Sequence, residues 1–283
     1  MTPLETPIQN KVLRIGHTPD PDDAFMFYGF ASGKVSIPGY TIEHVLEDIQ
    51  TLNGMTMKNE IEVSAVSAAI YPAIRKHYWI LPMGASVGRN YGPVVVKRQG
   101  ENPTTRRIGI PGKHTTAALL LKLLAPGYEP VEYRFDEIPG ALKAGQIDYG
   151  LLIHEAQITY EMMGFEKIVD LGVAWMNETQ LPIPLGLDVV NKNLGRDFAL
   201  TVANALRTSI EIAHRERSEA VDYSLKFGRG LAKPLGDRFV GMYVNDDTLN
   251  MGDDCEKALN LLFDKAYRAG IYSSPTIVDI LRP

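Results

Sequence analysis

A two-domain α/β fold, with a ligand cleft between the domains and a helical C-terminal region, is what this sequence predicts. Three observations carry that reading. Short apolar, β-branched runs alternate with helix-like stretches from about residue 12 to residue 190, the pattern of βα units with largely parallel sheets. The series breaks at a polar stretch, 98–107, that holds Gly100, Asn102 and Pro103, and then restarts, as at a domain boundary. From Arg196 onward almost every segment reads as helix. The restart and a return near 187 define an inserted domain, 104–186, within a larger discontinuous one made of 1–103 and 187–283. Hinged pairs of this kind bind a small ligand in the cleft.

Each element has a local reason. Residues 12–16 read as a strand that turns at His17-Thr18-Pro19-Asp20-Pro21. Asp20 suits a helix N-cap and Pro21 the first helical position; the helix carries Phe25, Met26, Tyr28 and Phe30, and Gly33 ends it. Then come a strand at 40–47, a helix at 48–58, a strand at 61–66, a helix capped by Ser67 and running to 75, and strands at 78–82 and 92–97. The run Val94-Val95-Val96 is of the kind found in buried strands. In the second series, strands fall at 107–110, 131–135, 147–153 and 167–171, and helices at 115–124, 138–144 and 155–163. A proline-marked passage at 181–186 leads to a short strand, 187–190. Helices follow at 196–214, 217–227, 234–242 and 253–269, with a short one near 275–281. This tail is either a cover for one domain or a homodimer surface.

The chain has 283 residues, 45% of them hydrophobic, enough for a sizeable core. The formal net charge is −5 and no Lys/Arg run stands out, which argues against a nucleic-acid partner. The single cysteine, Cys255, can form neither an internal disulfide nor a multi-cysteine zinc site. Residues 1–10 are polar and proline-containing, with neither the basic nor the apolar region of a secretory signal. No stretch approaches the ~20 apolar residues of a membrane span. A cytoplasmic location, no membrane partner and no metal are the expectations.

In open α/β sheets, ligands sit at the carboxyl ends of strands, near helix starts, and three loops qualify. In the first, Asp22 and Asp23 favour a helix N-terminus and their spacing is not that of a calcium loop, while His17 ends a strand and can face the cleft. The second, Pro111-Gly112-Lys113-His114-Thr115-Thr116-Ala117, is rich in donors and suits a carboxylate; it lacks the order of a Walker A loop. Ser64-Ala65-Val66-Ser67 is its counterpart in the first series. The third is Leu151-Leu152-Ile153-His154-Glu155, where a histidine ends a strand and begins a helix. A helix N-terminus disfavours imidazolium, so the ring is expected neutral and able to accept a proton. No histidine pair has zinc-motif spacing and no Gly-x-Ser-x-Gly elbow is present.

At these loops the sequence resembles the menaquinone-biosynthesis family of naphthoate-forming lyases and chorismate dehydratases. The matching stretches are residues 19–28, 46–53, Gly88-Arg89 with Gly92-Pro93, 111–117, 151–155 and 181–186. The Ile-His-Glu and Leu-Pro-x-Pro-Leu-Gly segments point to the naphthoate-forming branch. The resemblance implies a periplasmic-binding-protein-like (type II) fold and a cofactor-free lyase that acts on cyclic dehypoxanthine futalosine. It implies His154 as the catalytic residue, with Ala65, Val66, Ser67, Thr116 and Ala117 at the substrate. Thr115, His17, Asp22 and Arg89 are secondary candidates. Two positions depart from the family pattern: the first loop usually reads Pro-Cys-Pro-Asn-Asp, and a lysine often stands where this chain has Ala65. A non-catalytic binding protein for a small carboxylate or aromatic ligand and a chorismate dehydratase are the alternatives.

Overall fold

The structure, a computed structural model, describes residues 10–282, so the predicted polar tail lies, up to residue 9, outside the described residues. In chain order it comprises β1 (Lys11–His17), α1 (Pro21–Met26), α2 (Tyr28–Ala31), β2 (Tyr40–Leu46), α3 (Ile49–Met57), β3 (Val63–Ser67), α4 (Tyr71–Ile74), β4 (Tyr78–Ile80) and β5 (Ser86–Gly88). There follow β6 (Val94–Arg98), β7 (Arg107–Ile110), α5 (Thr116–Leu124), β8 (Glu129–Glu132), α6 (Ile138–Lys143), β9 (Tyr149–Leu152), α7 (Ala156–Thr159), β10 (Phe165–Asp170), α8 (Leu171–Thr179) and β11 (Ile183–Asn191). The tail consists of α9 (Arg196–Arg215), α10 (Arg217–Ser224), α11 (Lys233–Tyr243), α12 (Asp246–Leu249) and α13 (Asp253–Arg268).

Two sheets result, one ordered β2-β1-β3-β11-β4 with β5 paired to β11, the other β10-β6-β9-β7-β8. The βα units are parallel as expected: β1 with β2 and β3, and β7 with β8 and β9. The strands next to the crossings are not. β6 is antiparallel to β9 and β10, and β11 to β3, β4 and β5. Val94–Arg98, assigned from sequence to the first domain, belongs to the second sheet. We therefore draw the outward crossing between β5 and β6 rather than at 103/104. The polar stretch that suggested the boundary is only the connection from β6 to β7.

Other expectations are corrected in detail. The proline-marked passage is itself strand: β11 runs nine residues, with a register shift between Pro184 and Gly186, where a missing N–H is tolerated. Residues 155–163 form two short turns of helix, and Leu171–Thr179, not anticipated, is helical. The segment near 275–281 is not a helix; Ile280 makes an isolated bridge to Ile80.

The tail packs on the first sheet's side of the molecule. On α9, Val202, Leu206, Ile210 and Ala213 are buried at helical spacing and join Phe25 and Phe27 in one core. On α13, Leu259, Leu262, Phe263 and Ala266 form a second stripe, which joins the core beneath β11. No helix of the described residues is long and apolar enough to cross a membrane.

Candidate active site

The carboxyl ends of β1, β3, β7 and β9 converge on one cavity between the sheets. It is lined by Thr18, Asp20, Asp22 and Asp23 after β1, by Ala65, Val66 and Ser67, by Thr115, Thr116 and Ala117, and by Ile153 and His154. β11 adds Leu185, Gly186 and Leu187, and α11 adds Phe239 and Tyr243. The register of β11 on β3, Gly186 opposite Ser67 and Leu187 opposite Val66, joins two of these stretches. The predicted substrate segments and His154 are thus brought together.

Local bonding fixes the walls. The Thr18 N–H and hydroxyl both donate to Asp23 Oδ2 at 2.7 Å. Asp20 caps α1, accepting from the Asp23 N–H at 3.3 Å. Thr115 caps α5, accepting from the Ala118 N–H. Thr116 joins the two sides: its hydroxyl donates to Leu185 O at 2.6 Å and accepts from the Ala69 N–H at 3.1 Å. Ser67, expected as a cap, makes no capping bond. Asn53 holds it instead, through both its backbone N–H and its hydroxyl.

His154 lines the cavity just past the end of β9. Its φ is 54°, a left-handed conformation that a non-glycine residue adopts at a cost and often at functional sites. The ring packs edge-on against Phe135, centroids 4.6 Å apart. Nδ1 lies 2.6 Å from Asp20 Oδ2, an ion pair when the ring is protonated. Nε2 is buried and has no partner among the described residues.

The electrostatics correct one expectation. Burial pushes the His154 imidazole down, but Asp20, with Glu155 and Asp23, more than offsets it, and the net shift is upward from 6.5. The helix that follows has only four residues, and so short a dipole loses to a full carboxylate at contact distance. Burial alone would raise Asp20, but His154 holds it below the usual carboxylate range. Asp22 goes the other way: burial, then Asp20 and Asp23, push it well up, and its Oδ1 has no partner. Asp23 is pushed up to about 7, by burial first and Asp20 second. Within the loop these influences favour charge on Asp20 and disfavour it on Asp22.

Two secondary candidates do not line the cavity. His17 Nε2 lies 2.9 Å from His44 Nδ1 and the ring stacks on Phe27 at 4.4 Å; burial first, then His44, pushes it down to about 3. Arg89 donates to both oxygens of Asp247 and to Asp254, away from the cavity. Sequence reasoning missed the lining roles of Thr18, Asp20 and Asp23, which local pattern explains as a turn, a cap and a first-turn acid. It also missed Gln157, Phe239 and Tyr243, the last donating to Gln157 Oε1 at 2.8 Å. No motif marks the tail residues.

The architecture is that of a solute-binding protein. The alkanesulfonate-binding protein of Xanthomonas axonopodis pv. citri, bound to MOPS, superposes with a TM-score of 0.73 at 14% identity, over 95% of this chain and 97% of that one. A crystal structure of a protein from Archaeoglobus fulgidus superposes with a TM-score of 0.88 at 44% identity, over 92% of this chain and 98% of that one. Within this class, the chain belongs to the menaquinone biosynthesis family, whose profile matches residues 13–268. A Thermus thermophilus relative named 1,4-dihydroxy-6-naphtoate synthase is 36% identical over 262 residues, 92% of this chain and 96% of that one. A Streptomyces coelicolor relative of the same name is 33% identical over 267 residues, 92% and 94% of the two chains. The chain is an enzyme of that family.

Proposed function

We propose that this enzyme is a carbon–carbon lyase that converts cyclic dehypoxanthine futalosine to 1,4-dihydroxy-6-naphthoate in the cytoplasm. The observation that carries the reading is the buried Nε2 of His154, without a partner among the described residues, on a residue that lines the cavity together with the segments proposed to hold substrate. The first backbone N–H groups of α5, at Thr116 and Ala117, lack intrahelical partners as at any helix start and take the substrate carboxylate. Ala65, Val66 and Ser67 support the opposite end.

In the reaction, neutral His154 Nε2 removes a proton from the substrate. The electron pair released forms a new π bond in the ring, the adjacent carbon–carbon bond breaks with its own pair leaving on the sugar-derived fragment, and the proton held on His154 passes to that pair as the fragment departs. Formation of an aromatic ring supplies driving force. Water is excluded by closure of the cleft.

The test is incubation with cyclic dehypoxanthine futalosine, EDTA present, followed by mass spectrometry. Wild type is expected to form 1,4-dihydroxy-6-naphthoate and His154→Asn is not; chorismate, run in parallel, is expected to remain unchanged. Binding of the compound, seen as a raised melting temperature, with no product from either protein would replace this reading with a non-catalytic binding protein.

A further inference from the structure

Asp20 and His154 come from opposite sides of the cleft. Asp20 stands between β1 and α1, in the unit of the first sheet; His154 follows β9, in the second sheet. Their 2.6 Å contact therefore spans the cleft. Other contacts cross with it. Tyr243 of α11, which packs against α1, bonds to Gln157. Arg229 donates to Glu155 Oε1 at 3.0 Å and to Pro19 O at 3.2 Å, with its guanidinium 4.5 Å from the Phe135 ring centroid.

We propose that Asp20 is a positioning residue that sets the tautomer of His154, and that it does so only when the cleft is closed, so that domain closure itself assembles the base. The proposal rests on the reading of His154 as that base. With a carboxylate at Nδ1, the proton of the neutral ring stays on Nδ1 and the lone pair is on Nε2, the ring nitrogen with no partner among the described residues. When the domains part, the ring loses the group that fixes this choice. Asp23 from α1, Glu155 from the ring's own loop and Asp20 are the carboxylates that act on the imidazole. Asp20 alone forms an ion pair with a ring nitrogen, while Glu155 is paired with Arg229. Burial and its acidic neighbours push Asp22 upward, which favours Asp20 as the charged member of the pair. Closure that completes a catalytic constellation is a common device of hinged enzymes, and here it consists of one carboxylate and one imidazole.

The experiment is NMR of the full chain labelled with 15N in its imidazole rings, with the His154 signals identified by their loss in His154→Asn. Wild type is expected to show the Nδ1–H tautomer and a titration midpoint above 6.5. Asp20→Asn keeps a good helix cap; Asp20→Ser, also a good cap, is the second variant if circular dichroism shows that the first does not fold. Either is expected to move the midpoint below 6.5, because burial then acts without the carboxylate, to mix the tautomers, and to lower kcat at least tenfold with little change in KM. An unchanged midpoint and tautomer would overturn the positioning role.

Arg229→Ala tests the dependence on closure. Loss of a nearby cation by itself raises the His154 midpoint, whereas loosening the cleft lowers it by separating Asp20. A lowered midpoint supports assembly by closure; an unchanged or raised one overturns it. These readouts need no substrate. Absence of turnover alongside an Asp20-dependent titration would reject the proposed substrate and leave the pairing standing.

Discussion

Two acidic clusters among the described residues each place three donor atoms within 4.8 Å of one another, Asp20 with Asp22 and His154, and Asp247 with Asp254 and Cys255. In the second, every charge is answered. Arg89 donates twice to Asp247 and once to Asp254, and the Cys255 thiol donates to Asp247. In the first, Asp22 Oδ1 and His154 Nε2 are buried without partners, and the ring carries left-handed backbone. An unmet buried polar group costs about 1–3 kcal/mol, so unmet groups gathered around one cavity mark a site kept open for a ligand. Acidity and spacing do not distinguish the two clusters; satisfaction does.

The contrast has consequences that differ in kind. The largest effect belongs to His154→Asn, which is expected to lower kcat by about 10²–10⁴-fold, the usual contribution of a general base, while the melting temperature holds or rises. Arg89→Met is expected to do the reverse. Asp247, 7% exposed, would lose its cation, at about 1–3 kcal/mol, or a melting temperature lower by several degrees in a chain of this size. Turnover per folded molecule is expected to be unchanged. A loss of kcat in that variant, or a stability loss without activity loss in His154→Asn, would break the distinction.

A smaller effect sharpens it. Asp188 faces Ala65 across the β3–β11 pair, is 1% exposed, and has no partner for either oxygen. Burial first, and Asp23 second, push it well above 3.8. Its folded-state value is thus raised, so its contribution to stability is fully present below about pH 4 and is lost as pH rises toward the folded value. Asp188→Asn is expected to remove that slope and to gain about 2–4 °C at neutral pH, with the difference vanishing near pH 4. A gain independent of pH would show that Asp188 is not charged at a cost in the fold.

How much of this was legible follows from how local each feature is. The threonine loop and His154 sit at strand-to-helix junctions, which a short window reveals. Asp20 also has a complete local explanation, as a cap, and its second oxygen meets a ring 134 positions away in sequence that no local pattern can announce. Phe239 and Tyr243 read as ordinary apolar positions of an amphipathic helix. The segment near 275–281 reads as helix because apolar residues recur closely there, yet Thr276 and Val278 are buried and Ile277 and Asp279 exposed, a strand-like alternation. Composition groups Val94–Arg98 with the first series because it marks exposed connections, not the ladder hydrogen bonds that join this strand to β9 and β10.

The central claim is that a histidine made more basic by a carboxylate across the cleft acts as the base. The pH dependence of kcat/KM tests it most directly. A base must be unprotonated, so activity is lost as pH falls through the His154 value, which Asp20 lifts above 6.5. An acid limb above 6.5 is expected in wild type, moving below 6.5 in Asp20→Asn. An acid limb in the carboxylate range near pH 4, or one that Asp20→Asn leaves in place, would contradict it.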